Sequence, residues 1–478
     1  MIRTDIVKQA TVDDILYILD TDAEVIEVVD GITEYVVPQD SYNAYKELNP
    51  TLNIRSYNYN SYRITKEPFY DDVAVIMTTE SNAPVLSVMY SKGLCSNQDY
   101  MTLAEAKAVT NDKLTSMFEN NIDITHFEEF QYFTGVTEVG SRMFYDAYNL
   151  EKIILPPTCK KIKDRAFVFS TAKLKAGIEN KLRYVGGLEN IESLGINAFQ
   201  YCYNIKAYNF TDKLKSIGIN VFCGVENNTT AHGKHTLTES FGDLSGVENI
   251  SDQGLQKQEK IKHLNLSNTS IICGRAFDGM KNLETIELDW KHINPTETTT
   301  ADGSLYSIEQ IFFNCYNLQR VESMPLVKVI GKGFCNQCYK LKYVGDFPSA
   351  TKICQYAFSN CYELERIGNI DKVTTIEQFA FGACKKLKYV NLPVCSSVAQ
   401  YAFGFEFEGD DCNRVVNFGL PFSSITFNKN AFSNSRHTTI YCNGVELTEE
   451  QYIAVGARKP VKATTGNNET EPIYIPQK

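Results

Sequence analysis

The chain has 478 residues, of which 43% are hydrophobic and 22% charged, a composition typical of a globular protein. Its formal net charge is −11 and no block of lysines or arginines stands out, so we expect no nucleic-acid partner. No apolar run reaches the ~18–20 residues that cross a bilayer, and the N-terminal sequence lacks the apolar core of a secretory signal. Neither a membrane anchor nor export by the usual route is therefore expected.

Residues 1–96 are predicted to form a separate β-rich N-terminal module. Segments rich in β-branched and aromatic residues, broken by Asp-Gly and Pro, predict strands at 23–29, 32–38, 53–64, 70–79 and 83–91. A short helix is predicted at 39–48, in the sequence QDSYNAYKEL. No motif in this module indicates a function.

A helical linker and N-terminal cap is predicted at residues 97–122. Thr102 and Glu105 have the spacing of a capping box at the start of an alanine-rich stretch, which favours a helix within 100–114. We expect this helix to cover the open edge of the repeats that follow, because the terminal units of a repeat array need a polar cap.

An internal repeat dominates residues 123–446. A phenylalanine recurs, most often after 23 residues, with an aliphatic residue five positions before it and another six positions after it. The series is Phe144, Phe167, Phe199, Phe222, Phe277, Phe312, Phe358, Phe381, Phe403 and Phe432. In one variant rung, IGKGFCNQCYKL, Phe334 lies one place early and Cys335 occupies its position. Such a period predicts a solenoid, in which each rung buries its apolar face against its neighbours.

Cysteine recurs in the same repeat, three positions after the phenylalanine. The series is Cys202, Cys315, Cys338, Cys361 and Cys384. Fixed spacing is compatible with a metal ligand, a disulfide, a nucleophile or a packing residue. Other rungs carry Ala147, Ser170 or Met280 here, and this interchange favours a buried packing position. Packing also accounts for Cys335 and Cys338, the one Cys-x-x-Cys pair, without zinc. Without an export signal, we expect the thiols to be reduced.

Rungs such as LEKIILPPTCKKIKDRAF (150–167) and LKYVNLPVCSSVAQYAF (387–403) resemble the BspA-type, or Treponema-type, bacterial leucine-rich repeat. The shared pattern is an aliphatic strand ending in Leu-Pro, a second aliphatic segment, and then Ala-Phe-x-x-Cys-x-x-Leu. The resemblance implies a β-rich α/β fold, in which a right-handed leucine-rich-repeat solenoid carries a parallel sheet on one face. Residues 37–52 resemble the end rungs of this family, which implies a strand–helix cap. The polar segments 224–246 and 289–304 are expected to be loops.

Candidate chemical motifs are few. His232 and His235 in HGKH, and the acidic cluster FEFEGDD at 405–411, are both interpreted as solvated loops, because neither has the ligand pattern of a known metal site. No nucleophile elbow, His-Glu-x-x-His or phosphate loop occurs. A carboxylate pair for glycoside cleavage is defined by a distance in space and stays open. We therefore expect a non-enzymatic protein without metal or cofactor.

Two periodic surface series are candidate binding residues. Tyr316, Tyr339 and Tyr362 follow the repeated cysteines, and Tyr148 and Tyr203 hold the same position in earlier rungs. Arg320, Tyr343, Arg366 and Tyr389 precede the key aliphatic residue of a strand and alternate cation and ring. These series indicate either an adhesive face for glycan or protein, or lateral stacking that stabilises the solenoid itself.

Residues 447–478 are predicted to form a capping helix, in LTEEQYIAVG (447–456), and a polar tail.

The segments 101–114 and 120–150 resemble the approach to repeat arrays in predicted virion proteins of phages that infect gut Bacteroidales. This resemblance implies a virion component of fibre or surface-binding type, assembled in the host cytoplasm as a homo-oligomer. Its N-terminal module or C-terminal tail would bind other virion proteins, and its solenoid a host-surface glycan or protein. The BspA-type resemblance implies an alternative, a bacterial cell-surface adhesin. A third hypothesis is a glycan-cleaving spike.

Overall fold

The computed structural model describes residues 75–223, 236–293, 309–405 and 413–460, together with the backbone of four strands between residues 24 and 65. The chain divides into two compact units, one mainly of residues 1–272 and the other mainly of residues 290–478. In the described residues, no helix has both the length and the apolar character that a membrane span requires.

The four N-terminal strands form an antiparallel sheet. They are Glu24–Val29, Ile32–Pro38, Ile54–Asn58 and Ser61–Thr65. In spatial order the first strand pairs with the second, the second with the fourth, and the fourth with the third. The predicted strands at 23–29, 32–38 and 53–64 are thus confirmed, the last as a pair of strands. The predicted helix at 39–48 lies outside the described residues.

The prediction of a strand at 83–91 is wrong, because Thr79–Ser91 forms helix α1. Thr78 caps its N-terminus in a capping box with Ser81. The prediction gave weight to the β-branched valines, whereas the buried residues Val85, Leu86 and Met89 lie on one face of a helix. Asn82, inside α1, donates its amide to the His126 carbonyl at 3.0 Å and to Glu129 Oε2 at 3.0 Å. These bonds attach α1 to the first rung of the repeats.

The predicted capping box at Thr102 and Glu105 is confirmed, at the start of helix α2, Leu103–Ala108. Before it, the strand Tyr100–Thr102 pairs antiparallel with Val75–Thr78. Further along the unit lies helix α3, Thr171–Lys175, capped by Ser170. The described part of the chain also contains 3₁₀ turns at Asn111–Lys113, Glu128–Tyr132, Leu188–Asn190 and Phe422–Ser424.

In the first unit, the repeats form a solenoid of short strands. One six-stranded parallel sheet contains Glu138–Val139, Lys161–Ile162, Ser193–Leu194, Ser216–Ile217, Asn249–Ile250 and Ile271–Ile272. A second set of strands consists of His126–Phe127, Lys152–Ile154, Tyr184–Gly186, Ala207–Phe210, Ser240–Gly242, His263–Leu266 and Thr285–Leu288, hydrogen-bonded in groups of three, two and two. Each rung therefore contributes two strands.

The second unit repeats this plan with two ladders of strands. Ladder A contains Arg320–Val321, Tyr343–Val344, Arg366–Ile367, Tyr389–Leu392, Arg414–Phe418 and Thr438–Cys442, all parallel, and ends in the antiparallel strand Val445–Glu446. Ladder B contains Val329–Ile330, Lys352–Ile353, Thr375–Ile376, Ser397–Val398 and Thr426–Phe427.

The repeated phenylalanines form a buried spine between the ladders. In the second unit, Phe358 stacks on Phe381 with centroids 5.4 Å apart, and Phe381 on Phe403 at 5.2 Å. In the first unit, Phe118 stacks on Phe144 at 5.3 Å. Phe118 therefore extends the stack to a residue N-terminal to position 123, where the repeats are predicted to begin. The domain boundaries themselves stay predictions. At the variant rung, Phe334 packs edge-on against Phe312 and Phe358, and Cys335 takes the spine position as predicted.

In most rungs, three backbone hydrogen bonds join the spine turn to the next one. Around Phe358, the amides of Tyr356, Phe358 and Asn360 donate to the carbonyls of Gln378, Ala380 and Gly382. The last described bond in this series runs from the Phe432 amide to the Val455 carbonyl, just after helix α4, Glu449–Ala454. The capping helix predicted in 447–456 is therefore confirmed.

Candidate binding surface

Left-handed backbone at two positions brings each rung around its spine residue. Tyr356 and Asn360 flank Phe358 with φ of 59° and 60°, and Phe379 and Ala383 flank Phe381 with φ of 55° and 57°. Ordinary L-residues rarely adopt this conformation, whereas glycine and asparagine tolerate it. The residue after the second left-handed position is buried, as Cys361 and Cys384 are, and the one after that, Tyr362 or Lys385, is partly exposed.

The tyrosines predicted at this point form a column along the second unit. Tyr316 and Tyr339 stack with centroids 4.8 Å apart, and Tyr339 and Tyr362 at 5.2 Å with only 5° between their planes. Lys385 holds the same position in the next rung and places its ammonium 5.1 Å from the Tyr362 centroid. The Tyr339 hydroxyl donates to Gln337 Oε1 at 2.8 Å. Burial and the neighbouring tyrosines raise the pKa of Tyr339, so the donating form persists at neutral pH.

Stacking determines what this column offers to a partner. Because the tyrosine rings cover one another's faces, their edges and hydroxyls are the parts that point outward. The earlier tyrosine of the series, Tyr203, is not part of such a surface, because it is buried beside Phe169 and accepts a hydrogen bond from the Asn180 amide at 3.0 Å. The longer rung that carries helix α3 covers it.

The second predicted series forms a row on ladder A. Arg320 pairs in register with Tyr343, Tyr343 with Arg366, and Arg366 with Tyr389. The Arg320 guanidinium lies 4.3 Å from the Tyr343 centroid and also forms an ion pair with Glu322. Burial is the largest cause that raises the pKa of Tyr389. Cation and ring thus alternate on successive rungs, as the spacing predicts.

The tyrosine column and the row on ladder A border one continuous surface. Between them each rung contributes a buried leucine with a side chain on either side that points outward. We name this surface the panel, and it comprises residues 316–320, 339–343, 362–366 and 385–389. Its flanking neighbours on ladder A are polar, since Asn417 donates to Asn391 Oδ1 at 2.9 Å and Asn391 donates to Asp371 at 3.1 Å.

The cysteine series lies directly beneath the tyrosine column and is buried, as predicted. Each thiol also donates a hydrogen bond that the sequence did not reveal, to the carbonyl of the spine residue in the preceding rung. The bonds run from Cys202 to Phe167 at 3.0 Å, Cys315 to Phe277 at 3.2 Å, Cys338 to Phe312 at 3.0 Å, Cys361 to Cys335 at 3.1 Å and Cys384 to Phe358 at 3.1 Å. Burial raises the pKa of the Cys335 thiol to about 11, so it is protonated at neutral pH.

Most of the other sequence candidates lie outside the described residues. His232, His235 and most of the acidic cluster at 405–411 are among these candidates, as are 224–235 and 294–304 of the predicted loops and the tail beyond 460. Among the residues that the structure describes, no group of three or more His, Cys, Asp and Glu side chains is placed to hold a metal ion.

A second aromatic column was not predicted from the sequence. Tyr356 stacks on Phe379 with centroids 5.1 Å apart, and Phe379 on Tyr401 at 4.9 Å. Gln355 donates beside it to Gln378 Oε1 at 3.1 Å, a bond that also links neighbouring rungs. The signal was present, because these rings recur two positions before the spine residue. In sequence, the residues of this column precede the spine residue of their rung, whereas those of the panel follow it.

Known proteins similar to this chain share its repeats. No curated protein sequence matches it. Similar solved structures include a leucine-rich repeat protein from Bacteroides ovatus, with 16% identity, a TM-score of 0.42 and coverage of 73% of this chain and 86% of that one. Another is the pneumococcal vaccine antigen PcpA, with 18% identity, a TM-score of 0.39 and coverage of 69% of this chain and 85% of that one. A third is a leucine-rich cell surface protein from Faecalibacterium prausnitzii, with 17% identity, a TM-score of 0.35 and coverage of 70% and 86%.

The family described as "BspA type Leucine rich repeat region" matches in six copies. The matched residues are 109–239, 192–297, 245–365, 291–406 and 345–452. Because these overlapping matches extend over well more than half of the sequence and coincide with the observed rungs, the chain belongs to the BspA-type leucine-rich repeat family.

Proposed function

We propose that this protein is a non-enzymatic interaction protein that binds a partner on a cell surface through the panel. Solenoids of the BspA type are typically binding scaffolds, which supports the general class. The observation that carries the proposal is the register of the panel, in which the same outward positions are occupied by aromatic or cationic side chains on four successive rungs. Aromatic rings and arginine are the side chains most enriched where binding energy is concentrated.

The setting that we propose is a phage particle. Support comes from the resemblance of 101–150 to the approach to repeat arrays in predicted virion proteins of Bacteroidales phages. In this proposal the N-terminal module or the C-terminal tail attaches a homo-oligomer to other virion proteins, and the panel faces the host.

A bacterial cell-surface adhesin is the second candidate, and membership of the BspA-type family favours it. The panel would serve the same purpose there. The two candidates differ in where the intact chain is found, on particles or on the outside of the bacterium that makes it.

Binding and location are tested separately. The fluorescently labelled full-length chain is incubated with intact gut Bacteroidales cells, beside the double variant Tyr343→Ser/Tyr389→Ser. The control is Tyr356→Ser/Tyr401→Ser, which removes two tyrosines from the same two rungs outside the panel. We expect the panel variant to lose at least tenfold in cell binding and the control to keep it. Equal binding by all three proteins would contradict the proposed function of the panel.

Immunogold labelling with an antibody to the full-length chain decides the setting. Label on phage particles from a lysate supports the virion component, and label on the outer surface of bacteria that carry no phage supports the adhesin. Label confined to the cytosol of uninfected bacteria would overturn both.

A further inference from the structure

Cations are concentrated on the panel of an otherwise acidic protein. The whole chain has a net charge of −11, yet the panel contains seven lysines and arginines and two glutamates. The cations are Arg320, Lys340, Lys342, Arg366, Lys385, Lys386 and Lys388, and the carboxylates are Glu363 and Glu365. A local field of this sign attracts anions even when the net charge of the molecule is negative.

Several of these cations form no ion pair with any residue that the structure describes. Arg320 pairs with Glu322 and Lys386 with Glu363. Lys342, Arg366 and Lys388 are exposed and, among the described residues, form no ion pair. They lie on three successive rungs, at or directly before the row on ladder A. Their charges are therefore available to an external anion.

The spacing of the rungs limits which polymer can follow them. Stacked tyrosines on the panel are 4.8 and 5.2 Å apart, as expected for strands ~4.8 Å apart in a sheet. Each sugar of an extended β-linked polysaccharide advances the chain by nearly this distance, so one sugar can lie on each rung. An extended peptide does not match, because side chains on one of its faces recur about every 6.6 Å.

We propose that the panel binds an anionic, carboxylate-bearing polysaccharide that runs along the axis of the repeats, one sugar to a rung. This inference rests on the proposed function and names its ligand. Lys342, Arg366 and Lys388 bind the carboxylates, and arginine can do so with two parallel hydrogen bonds. The tyrosine edges and hydroxyls hydrogen-bond sugar hydroxyls, since stacking covers the ring faces. Lys342 and Lys388, two rungs apart, match a charge on every second sugar, and Arg366 lies on the rung between them.

Hyaluronan, which alternates an acidic and a neutral sugar through β-linkages, is the probe. We measure the binding of its oligosaccharides to the full-length chain by calorimetry at low salt. The matched ligand control is the same material with its carboxylates reduced to alcohols. We expect affinity to rise with length until four rungs are covered, to fall as salt increases, and to drop at least tenfold for the reduced oligosaccharide.

Two triple variants locate the site. Lys342→Gln/Arg366→Gln/Lys388→Gln removes three cations from the panel, and Lys328→Gln/Lys332→Gln/Lys372→Gln removes three from neighbouring parts of the same unit outside the panel. We expect the first variant to bind at least tenfold more weakly and the second to change less than about twofold. Equal losses would overturn the assignment, because only overall charge would then matter.

Other anionic polymers distinguish a glycan site from a general anion surface. Single-stranded oligodeoxythymidine and poly-glutamate of similar charge are compared with hyaluronan at the same salt concentration. Equal or tighter binding of either one would overturn the inference of a polysaccharide ligand, as would the absence of hyaluronan binding. If the panel triple variant still binds intact cells like the unmodified chain, this inference fails while the proposed function stands. If the unmodified chain binds hyaluronan but no cells, the proposed function fails instead.

Discussion

The repeated cysteine packs in the core and also donates a hydrogen bond, and only the first of these two roles can be predicted from the sequence. Interchange with alanine and methionine predicted a buried position, and Cys361 is fully buried. The hydrogen bond from its thiol to the Cys335 carbonyl could not be predicted, because the direction of a backbone carbonyl depends on how neighbouring rungs stack. Ser435 and Gln258 hold the same position in other rungs and donate to Phe403 and Phe222, so the position selects a donor as well as a size.

Substitutions of Cys361 separate these two roles. Cys361→Ala removes both volume and donor, and we expect the free energy of unfolding to fall by about 1–2 kcal/mol. Cys361→Ser keeps a donor beside the carbonyl and should cost less than alanine. Urea unfolding of the full-length chain measures both. If serine were the more damaging change, the thiol would act through apolar packing alone.

Left-handed positions beside the spine offer a second test at single residues. Asn314, Asn360 and Asn434 hold the position two residues after the spine, whereas the rung of Phe381 has Ala383 with φ of 57°. Asparagine adopts this conformation more readily than alanine, so Ala383→Asn should raise the free energy of unfolding by about 0.5–1 kcal/mol. The reverse change, Asn360→Ala, is the control and should lower it. A thermal melt that shows no difference in either direction would contradict the strain argument.

Caps and strands differed in how well their sequences predicted them. The capping box of α2 was predicted from the spacing of Thr102 and Glu105. Thr448 and Gln451 at the start of α4 have the same spacing, but there only the helix was predicted. Helix α1 was predicted as a strand, since its valines favour a strand and the tertiary contacts of Asn82 cannot be read from a pattern. The period of the repeat predicted the stacking of rungs in the solenoid. It also contained the second aromatic column, Tyr356, Phe379 and Tyr401, which was not predicted.

The cap of α2 should make stability depend on pH. Partial burial raises the pKa of Glu105, but hydrogen bonds from Thr102 and Ser96 more than offset this and lower it overall. A lowered pKa in the folded state means that the carboxylate stabilises the fold above its unfolded pKa of about 4.3 and loses this contribution as the pH falls through the folded value. Glu105→Gln should therefore destabilise the protein at pH 7 and much less at pH 3. Urea unfolding at both pH values measures the difference. A penalty that is the same at both would contradict this assignment.

At the scale of the whole array, the described repeats owe their order to contacts between neighbouring rungs. In the second unit the spine from Phe358 to Phe432 stacks ring on ring, and each ladder pairs a strand with the next. Stability in such an array is approximately a sum of rung and interface contributions. The periodic sequence therefore predicted the repeating core well. It could not predict which cations of the panel form ion pairs, because that depends on side-chain conformation, as the pairs of Arg320 with Glu322 and of Lys386 with Glu363 show.

Phe358→Ala should reveal this local coupling. Removal of a fully buried ring costs about 3–5 kcal/mol, and the loss should be felt mainly by the adjoining rungs. Hydrogen–deuterium exchange should show faster exchange at residues 335–381 with little change at 144–222. Phe167→Ala, in the other unit, should give the opposite pattern. Uniformly faster exchange across both regions in either variant would show that the chain unfolds as one cooperative body.

In the second unit, the spine-turn amides that donate to the next rung all point toward the C-terminus, so the dipoles of their peptide units are aligned. Each peptide unit carries a dipole of about 3.5 D, and aligned units add, as they do in an α-helix. From residue 309 to residue 460 the turns therefore form a polarised column, with its positive end at the C-terminal rung. There the Val455 carbonyl accepts from Phe432, and helix α4 begins with Glu449 and Glu450. The two ends of the spine are thus electrically unlike. Amides elsewhere in the same rungs, such as those of Gly345 and Cys354, donate toward the N-terminus, so a charged partner would meet this difference only at the spine turns themselves.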